Sequence, residues 1–413
     1  MRFLASFLAL LLLAVCLLLF AASDSVPLVV RDETISPGAI AQARQIFEAN
    51  DPRRLHRGEA RQIAIPAALI DEGVNYLASR SLHGRGALIM SEGAAEVRLT
   101  LHLIDRPMPR YVNLRASIRE AKGEPEGEPG IASAYIGRVP IPAAWVAFAL
   151  ASAVRAAGYG REWKLARGAI NRLAINSASQ TFVVNYAWEP ALLEQARAIA
   201  LQPDDLASIQ AAQSALAAIL DHHATGARVA LTSVLKALLT VPGDPVREQR
   251  RAALLVLATY LAEQNLATII PEARQWPRPR PVRLMLLNRY DSAQHFAISA
   301  ALAAWAGEPL ADAIGLYKEL DDARHGSGFS FADLAADRAG TRFGNLVAQD
   351  AEVLIRSLEN NVADTDLAPS LKGLPEYLSE REFQRKFGGP GDPAYQQVAA
   401  EIERRLAALP LYR

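Results

Sequence analysis

Between residues 291 and 344, ionisable side chains recur at helical intervals among small apolar ones: DSAQHFAISAALAAWAGEPLADAIGLYKELDDARHGSGFSFADLAADRAGTRFG. Asp291 and His295 are four apart, so on a helix they share a face where a carboxylate could orient and charge the imidazole. Glu319 and Asp322 are three apart on a second predicted helix, and Asp333 and Asp337 four apart on a third. Like charges at that spacing repel by about 0.2–0.5 kcal/mol unless a cation or proton intervenes. Three helices each offering a carboxylate, plus one imidazole, could build an oxygen-rich divalent metal site with His295, Glu319 and Asp337 as ligands. They could equally build an acid–base pair. A structural reading fits the same spacing. Ser330-Phe331-Ala332-Asp333 has the form of a capping box, in which Asp333 would serve only backbone donors. Lys318, Arg324, Arg338 and Arg342 could hold the acids in a salt-bridge network. Spacing alone leaves the metal, catalytic and structural readings open.

Elsewhere the chemistry is sparse. Of His56, His83, His102, His222 and His223, only the last two cluster with a carboxylate, Asp221, and that cluster ends a predicted helix where polar side chains meet the dipole. No Gly-rich phosphate loop, nucleophile elbow or HExxH pattern occurs, so no catalytic residue of a common enzyme class is identified. No organic cofactor is expected, and the only cofactor reading is the divalent metal.

The elements that must position the cluster can be read from punctuation and period. Gly326-Ser327-Gly328 is the turn before the helix that carries Asp333 and Asp337. The apolar run from Phe296 to Gly315 is broken by Glu308, Pro309 and Asp312, which predicts a pair of buried helices rather than a membrane span. Upstream, Ser36-Pro37 is an N-cap with proline at the first helical position, and Pro66 opens a second helix. The period then changes. Val97, Leu99, Leu101 and Leu103, and then Val112, Leu114, Ala116 and Ile118, alternate with polar residues, as strands with one buried and one wet face do. Asp105–Pro109 is turn chemistry between them. A third strand is expected through Ala132–Val139, a helix from Pro142, and a further strand through Phe182–Trp188. From about Glu189 the signal is helical, beginning with LLEQARAIA, and a proline-rich joint at 275–283 introduces the last region.

The predicted fold class is α+β: a curved antiparallel sheet packed on helices at 36–190, a helical region at 191–275 and a second helical domain at 276–413. Residues 24–35 are expected to be an extended linker. Residues 1–23 form a membrane anchor or uncleaved signal, because Phe3–Ala22 is apolar without a charge and long enough to span a bilayer. Ala21-Ala22-Ser23 could serve as a cleavage site, but the length favours retention. Arg2 and the α-amino group mark the cytoplasmic side. The sole cysteine, Cys16, lies inside this run, which excludes a disulfide framework and a thiolate metal site from the rest. With 44 basic and 44 acidic residues and no basic block, a nucleic-acid partner has no electrostatic support.

Two resemblances bear on function. His295-Phe296, an apolar helix, then Gly315, Lys318, Glu319 and Asp322, then Ser327, Gly328, Ser330, Asp333, Leu334, Asp337 and Gly340 form a pattern that resembles the YfiM family of small envelope proteins. It is similar, more distantly, to VanZ-like membrane proteins. The resemblance implies an envelope location rather than a reaction. The N-terminal half, with the Leu69…Asn75-Tyr76-Leu77 helix, the alternating strands and Ile136–Pro142 entering a helix, resembles YpmS-type anchored proteins. That layout implies a groove for a lipid or other apolar ligand. The expectation is a single-pass protein of the bacterial inner membrane with its bulk in the periplasm. It would be a non-catalytic binding or scaffolding component whose partners are the membrane and a lipid or envelope protein. The alternative is a metal-assisted hydrolase of an envelope substrate acting through His295, Glu319 and Asp337.

Overall fold

The structure is a computed structural model that describes residues 22–51, 55–104, 110–119, 130–156, 168–190, 203–240, 246–268, 270–360 and 362–413. The chain forms two compact units, residues 1–200 and 201–413. The architecture is α+β, with antiparallel sheets in the first unit and helices through the second. The apolar N-terminal run, including Cys16, lies outside the described residues apart from Ala22. So do the Asp105–Pro109 turn and the helix expected over 192–200. Among the described residues no helix is long and apolar enough to cross a membrane.

In the first unit, α1 (Pro37–Ala49) starts as its sequence requires, the Ser36 hydroxyl accepting from the Ala39 amide at 3.1 Å. Then come β1 (Ala60–Pro66), α2 (Ala67–Leu82), β2 (Gly84–Ser91), β3 (Ala94–Ile104), β4 (Arg110–Arg119), β5 (Gly130–Ile136), β6 (Val139–Pro140) and α3 (Ala143–Ala156), followed by β7 (Ile170–Asn176) and β8 (Thr181–Ala187). β2 to β6 form one sheet in chain order; β8 sits between β1 and β7 in another. The alternating residues pair in register, Val97 with Ala116, Leu99 with Leu114 and Leu101 with Val112. β1, β2 and β7 lack strict alternation, which is why period alone does not reveal them. Ala67, Ala95, Ile175 and Phe182 make a small buried core that joins α2 to both sheets.

The segment 24–35 departs from a free linker. Asp24 pairs with Tyr111 through two backbone hydrogen bonds of 2.9 Å. The Leu28 amide donates to Thr100 Oγ1 at 3.0 Å and Asn113 Oδ1 at 2.9 Å, and the Asn113 amide group donates to Asp24 and the Val26 carbonyl. Thr100 and Asn113 face each other across the strands at positions the alternation marks as wet, yet both are buried. The strap covers them, and their side chains satisfy its backbone donors and acceptors. Further along, the Asn75 amide group donates to the Asp32 carbonyl at 2.8 Å.

The second unit comprises α4 (Pro203–Asp221), β9 (Arg228–Ala230), α5 (Leu231–Leu239), α6 (Val246–Leu261), β10 (Arg283–Met285), α7 (Tyr290–Ala306), α8 (Glu308–His325), α9 (Phe331–Ala348), α10 (Glu352–Glu359), α11 (Asp364–Leu367), α12 (Glu380–Phe387) and α13 (Pro393–Ala407). One hydrophobic core runs from Ile209 to Leu411. The proline-rich stretch at 275–283 is therefore no boundary. Val282 and Leu284 are core residues, β10 pairs with β9, and the Tyr260 hydroxyl bridges the Val282 amide and carbonyl at 2.7 and 2.9 Å. Gly307 (φ 92°) separates α7 from α8, as the broken apolar run predicts.

α7 and α9 cross with backbones almost touching. A Cβ on Gly340 would lie 2.1 Å from the Phe296 carbonyl oxygen, and one on Gly344 2.1 Å from that of Ala300. Only glycine allows this approach, and the rings of Phe296 and Phe343 close beside it with centroids 5.4 Å apart.

Two outcomes follow from these contacts. Asn113→Ala should destabilise the first unit by about 1–3 kcal/mol and accelerate hydrogen exchange at the Leu28 amide; unchanged exchange there would mean that the strap is held by something else. Gly340→Ala should cost the second unit about 3 kcal/mol by overpacking, read as a fall in its unfolding midpoint.

Candidate functional site

The glycine-mediated crossing sets His295 and Ser299, one turn apart on α7, against Asp337 of α9. His295 Nδ1 lies 3.2 Å from both carboxylate oxygens of Asp337, and the Ser299 hydroxyl donates to Asp337 Oδ1 at 2.7 Å. α8 contributes Glu319, with Oε1 3.8 Å from His295 Nδ1. Space for the Asp337 carboxylate is left by Gly315 of α8, where a Cβ would meet Asp337 Oδ2 at 3.1 Å. On the other side of the ring, His295 Nε2 is 3.8 Å from Asp333 Oδ2 and 3.4 Å from Lys318 Nζ.

The loop before α9 fixes Glu319. Gly328 (φ 97°) takes a left-handed conformation pressed against the Tyr377 backbone, and Phe329 pairs with Leu378. Phe329 and Phe331 are fully buried; Phe329 stacks on Phe383, and Phe331 meets Tyr395. Between these aromatic anchors the Ser330 amide donates to Glu319 Oε2 at 3.0 Å, while the Ser330 hydroxyl accepts from the Asp333 amide at 3.1 Å. The capping box is thus only half formed from local sequence, because Glu319 of α8 takes the reciprocal place expected of Asp333. Asp333 instead faces His295 and lies 3.7 Å from Arg289.

Of the five residues picked out by spacing, His295, Glu319, Asp333 and Asp337 come together. Asp322 sits at the edge, ion-paired to Lys318 at 2.7 Å, and Lys318 is half exposed. Asp291 does not orient His295; it pairs with Arg289 at 2.7 Å, and Arg289 also holds Glu376 at 2.7 Å. Arg338 and Arg342 serve Asp312 and Glu403, and Arg324 serves Glu380, so none of the three neutralises the cluster. Asp221 pairs with Arg280 away from any site. Spacing did not reveal Ser299 and Arg289 as functional. Ser299 carries a signal, four residues after His295 on the same face; Arg289 lies just before α7 and meets Asp333 and Glu376 only through the fold.

Glu319 is 1% exposed and its Oε1 has no hydrogen-bond partner. Burial, reinforced by the charge of Asp337, pushes its carboxyl up to about 8. For His295 burial favours the neutral ring, but the charge and hydrogen bond of Asp337 prevail, raising it to about 9. Burial also raises Asp333. Beside the cluster is a cavity of about 260 Å³. Ile298, Leu302 and Ile314 line it together with Gln294, His295, Ser299, Lys318 and Asp337. A similar cavity of about 280 Å³ at Gln213, Tyr260 and Glu263 includes none of these residues.

His295, Glu319 and Asp337 present ligand atoms within 4.8 Å of one another. Metal bonds of about 2.1 Å put tetrahedral neighbours about 3.4 Å apart, near the observed 3.2 and 3.8 Å. Each carboxylate has one oxygen held by a protein donor, Ser299 Oγ for Asp337 and the Ser330 amide for Glu319, and such support orients metal ligands. The donor set, one imidazole nitrogen with carboxylate oxygens, suits a borderline ion such as Zn²⁺ or Mn²⁺.

The cation-free cluster has a pH signature. Folding raises Glu319 from 4.5 to about 8 and His295 from 6.5 to about 9, so the folded state holds more protons and stability falls as pH rises. The slope should be steepest between pH 6.5 and 8, where the folded protein keeps two protons that the unfolded chain has released. Thermal unfolding in chelator should show this fall, and Glu319→Gln should roughly halve the slope. A profile flat through neutral pH would contradict the assignment.

Compared with protein-family models, curated proteins and solved structures, the chain gives no match, so the reading of the site rests on its own geometry.

Proposed function

We propose that this is an envelope protein, held to the bacterial inner membrane by its apolar N-terminal run with its bulk in the periplasm. Its C-terminal unit binds a ligand through a divalent cation on His295, Glu319 and Asp337. The observation that carries the cation site is the buried Oε1 of Glu319, which faces the His295–Asp337 pair without a hydrogen-bond donor. Leaving a buried carboxylate oxygen unmatched costs about 1–3 kcal/mol, and a bound cation removes that cost. The resemblance to the YfiM family supports the envelope location, as does the charge-free run from Phe3 to Ala22.

A second reading, metal-assisted hydrolysis of an envelope substrate, is favoured by the adjoining cavity. Two of the three ligands, His295 and Asp337, line that space, so an ion held there would keep a position for water or substrate, the arrangement that distinguishes catalytic from structural sites.

The test is titration of the chelator-treated protein with Mn²⁺ and Zn²⁺, followed by electron paramagnetic resonance and calorimetry. One ion should bind per chain. Glu319→Gln should weaken binding at least tenfold without lowering the chelated protein's unfolding temperature, because the amide oxygen can still accept from Ser330 and the buried group no longer titrates. Loss of about 3–5 kcal/mol of stability with no ion bound by the parent would make the cluster a structural ion-pair network instead.

A further inference from the structure

We infer that the cavity beside the His295–Glu319–Asp337 cluster takes an amphiphile with one anionic head, a phosphate or carboxylate, and an apolar tail. The inference rests on the cation site proposed above and deepens it.

The cavity has two chemically distinct parts. Ile298 and Leu302 are one turn apart on α7 and face the cavity together with Ile314 of α8; all three are only partly buried. Partly exposed aliphatic side chains that surround a concave space make a wall for hydrocarbon rather than for a sugar or peptide backbone, which would need polar partners along its length. Four of the polar lining groups touch one another, Asp337 accepting from Ser299 and meeting His295 while Lys318 stands beside His295; the fifth, Gln294, donates its side-chain amide to the Leu261 carbonyl at 2.7 Å. Of the charged side chains lining the cavity, Asp337 is a proposed cation ligand and Lys318 is positive. Lys318 Nζ stands 3.4 Å from His295 Nε2 and 3.7 Å from Glu319 Oε1, and its side chain is half exposed. A divalent ion with an open position next to an ammonium group favours an oxyanion. A cavity of about 260 Å³ has room for such a head and the first part of a tail, with the remainder leaving through its open side.

Binding of a homologous series to the Mn²⁺-loaded protein tests the idea: inorganic phosphate, then butyl, hexyl, octyl and dodecyl phosphate, with the corresponding carboxylates and alkanols. Affinity should rise up to about fourfold per methylene over the first carbons and then level off as the tail passes the cavity. The alkanols should bind at least tenfold more weakly than the phosphates. Leu302→Asp should abolish the chain-length dependence and keep Mn²⁺ binding, and Lys318→Gln should weaken every anion without altering that dependence. The series on the unmodified protein decides the matter even if Leu302→Asp does not fold. If Mn²⁺ binds but alkyl phosphates bind no better than inorganic phosphate, the cation site stands and the amphiphile does not. If Mn²⁺ does not bind at all, both are overturned.

Discussion

The site depends on the backbone contact between α7 and α9. Gly340 and Gly344, one turn apart, remove the two Cβ atoms that would strike the carbonyls of Phe296 and Ala300. The helices can then approach until His295, adjacent to Phe296, and Ser299, adjacent to Ala300, reach Asp337, one turn before Gly340. The residues that make the crossing and those that make the chemistry are neighbours in sequence, so packing and site geometry cannot vary separately. Gly315 plays the matching part on α8, leaving room for the carboxylate that the other two helices bring in.

Around that contact the protein gathers four buried ionisable side chains. His295, Glu319, Asp333 and Asp337 are all buried, whereas acidic and basic side chains elsewhere mostly pair at the surface. Buried ion pairs seldom stabilise a fold relative to apolar replacements of the same shape. Two features argue for a use beyond stability: one oxygen of Glu319 has no hydrogen-bond donor, and the cluster borders an open cavity. In the cation-free state the protein compensates with protons, holding one on Glu319 and one on His295 near neutrality. A cation on these ligands would displace both, so protonation and ion binding compete for the same atoms.

Where periodicity and punctuation are local they describe the chain well. The alternation in β3 and β4 gives both strands and their paired faces, the Ser36 cap starts α1, and Glu308 with Pro309 divides α7 from α8. The division near 275 does not correspond to a break in the second unit, because the prolines there lie in irregular chain that leads into β10 inside one core. The wet face of the first sheet is partly dry, because segment 24–35 lies over Thr100 and Asn113; a strap that crosses 70 residues of sequence leaves no periodic trace.

By itself the sequence determined the α+β class, the placement of His295, Glu319, Asp333 and Asp337 on three successive helices, and the chemistry available to them. These follow from spacing of three or four residues, which one helix turn enforces. Only the tertiary structure decided which of the acids meet. It turned Asp291 away to Arg289 and left Asp322 on Lys318. It gave Glu319, rather than Asp333, the reciprocal place at the Ser330 cap. Partner choice among like-charged side chains depends on distances between helices, and those are set by glycines, aromatic anchors and backbone carbonyls that meet only when separate helices pack.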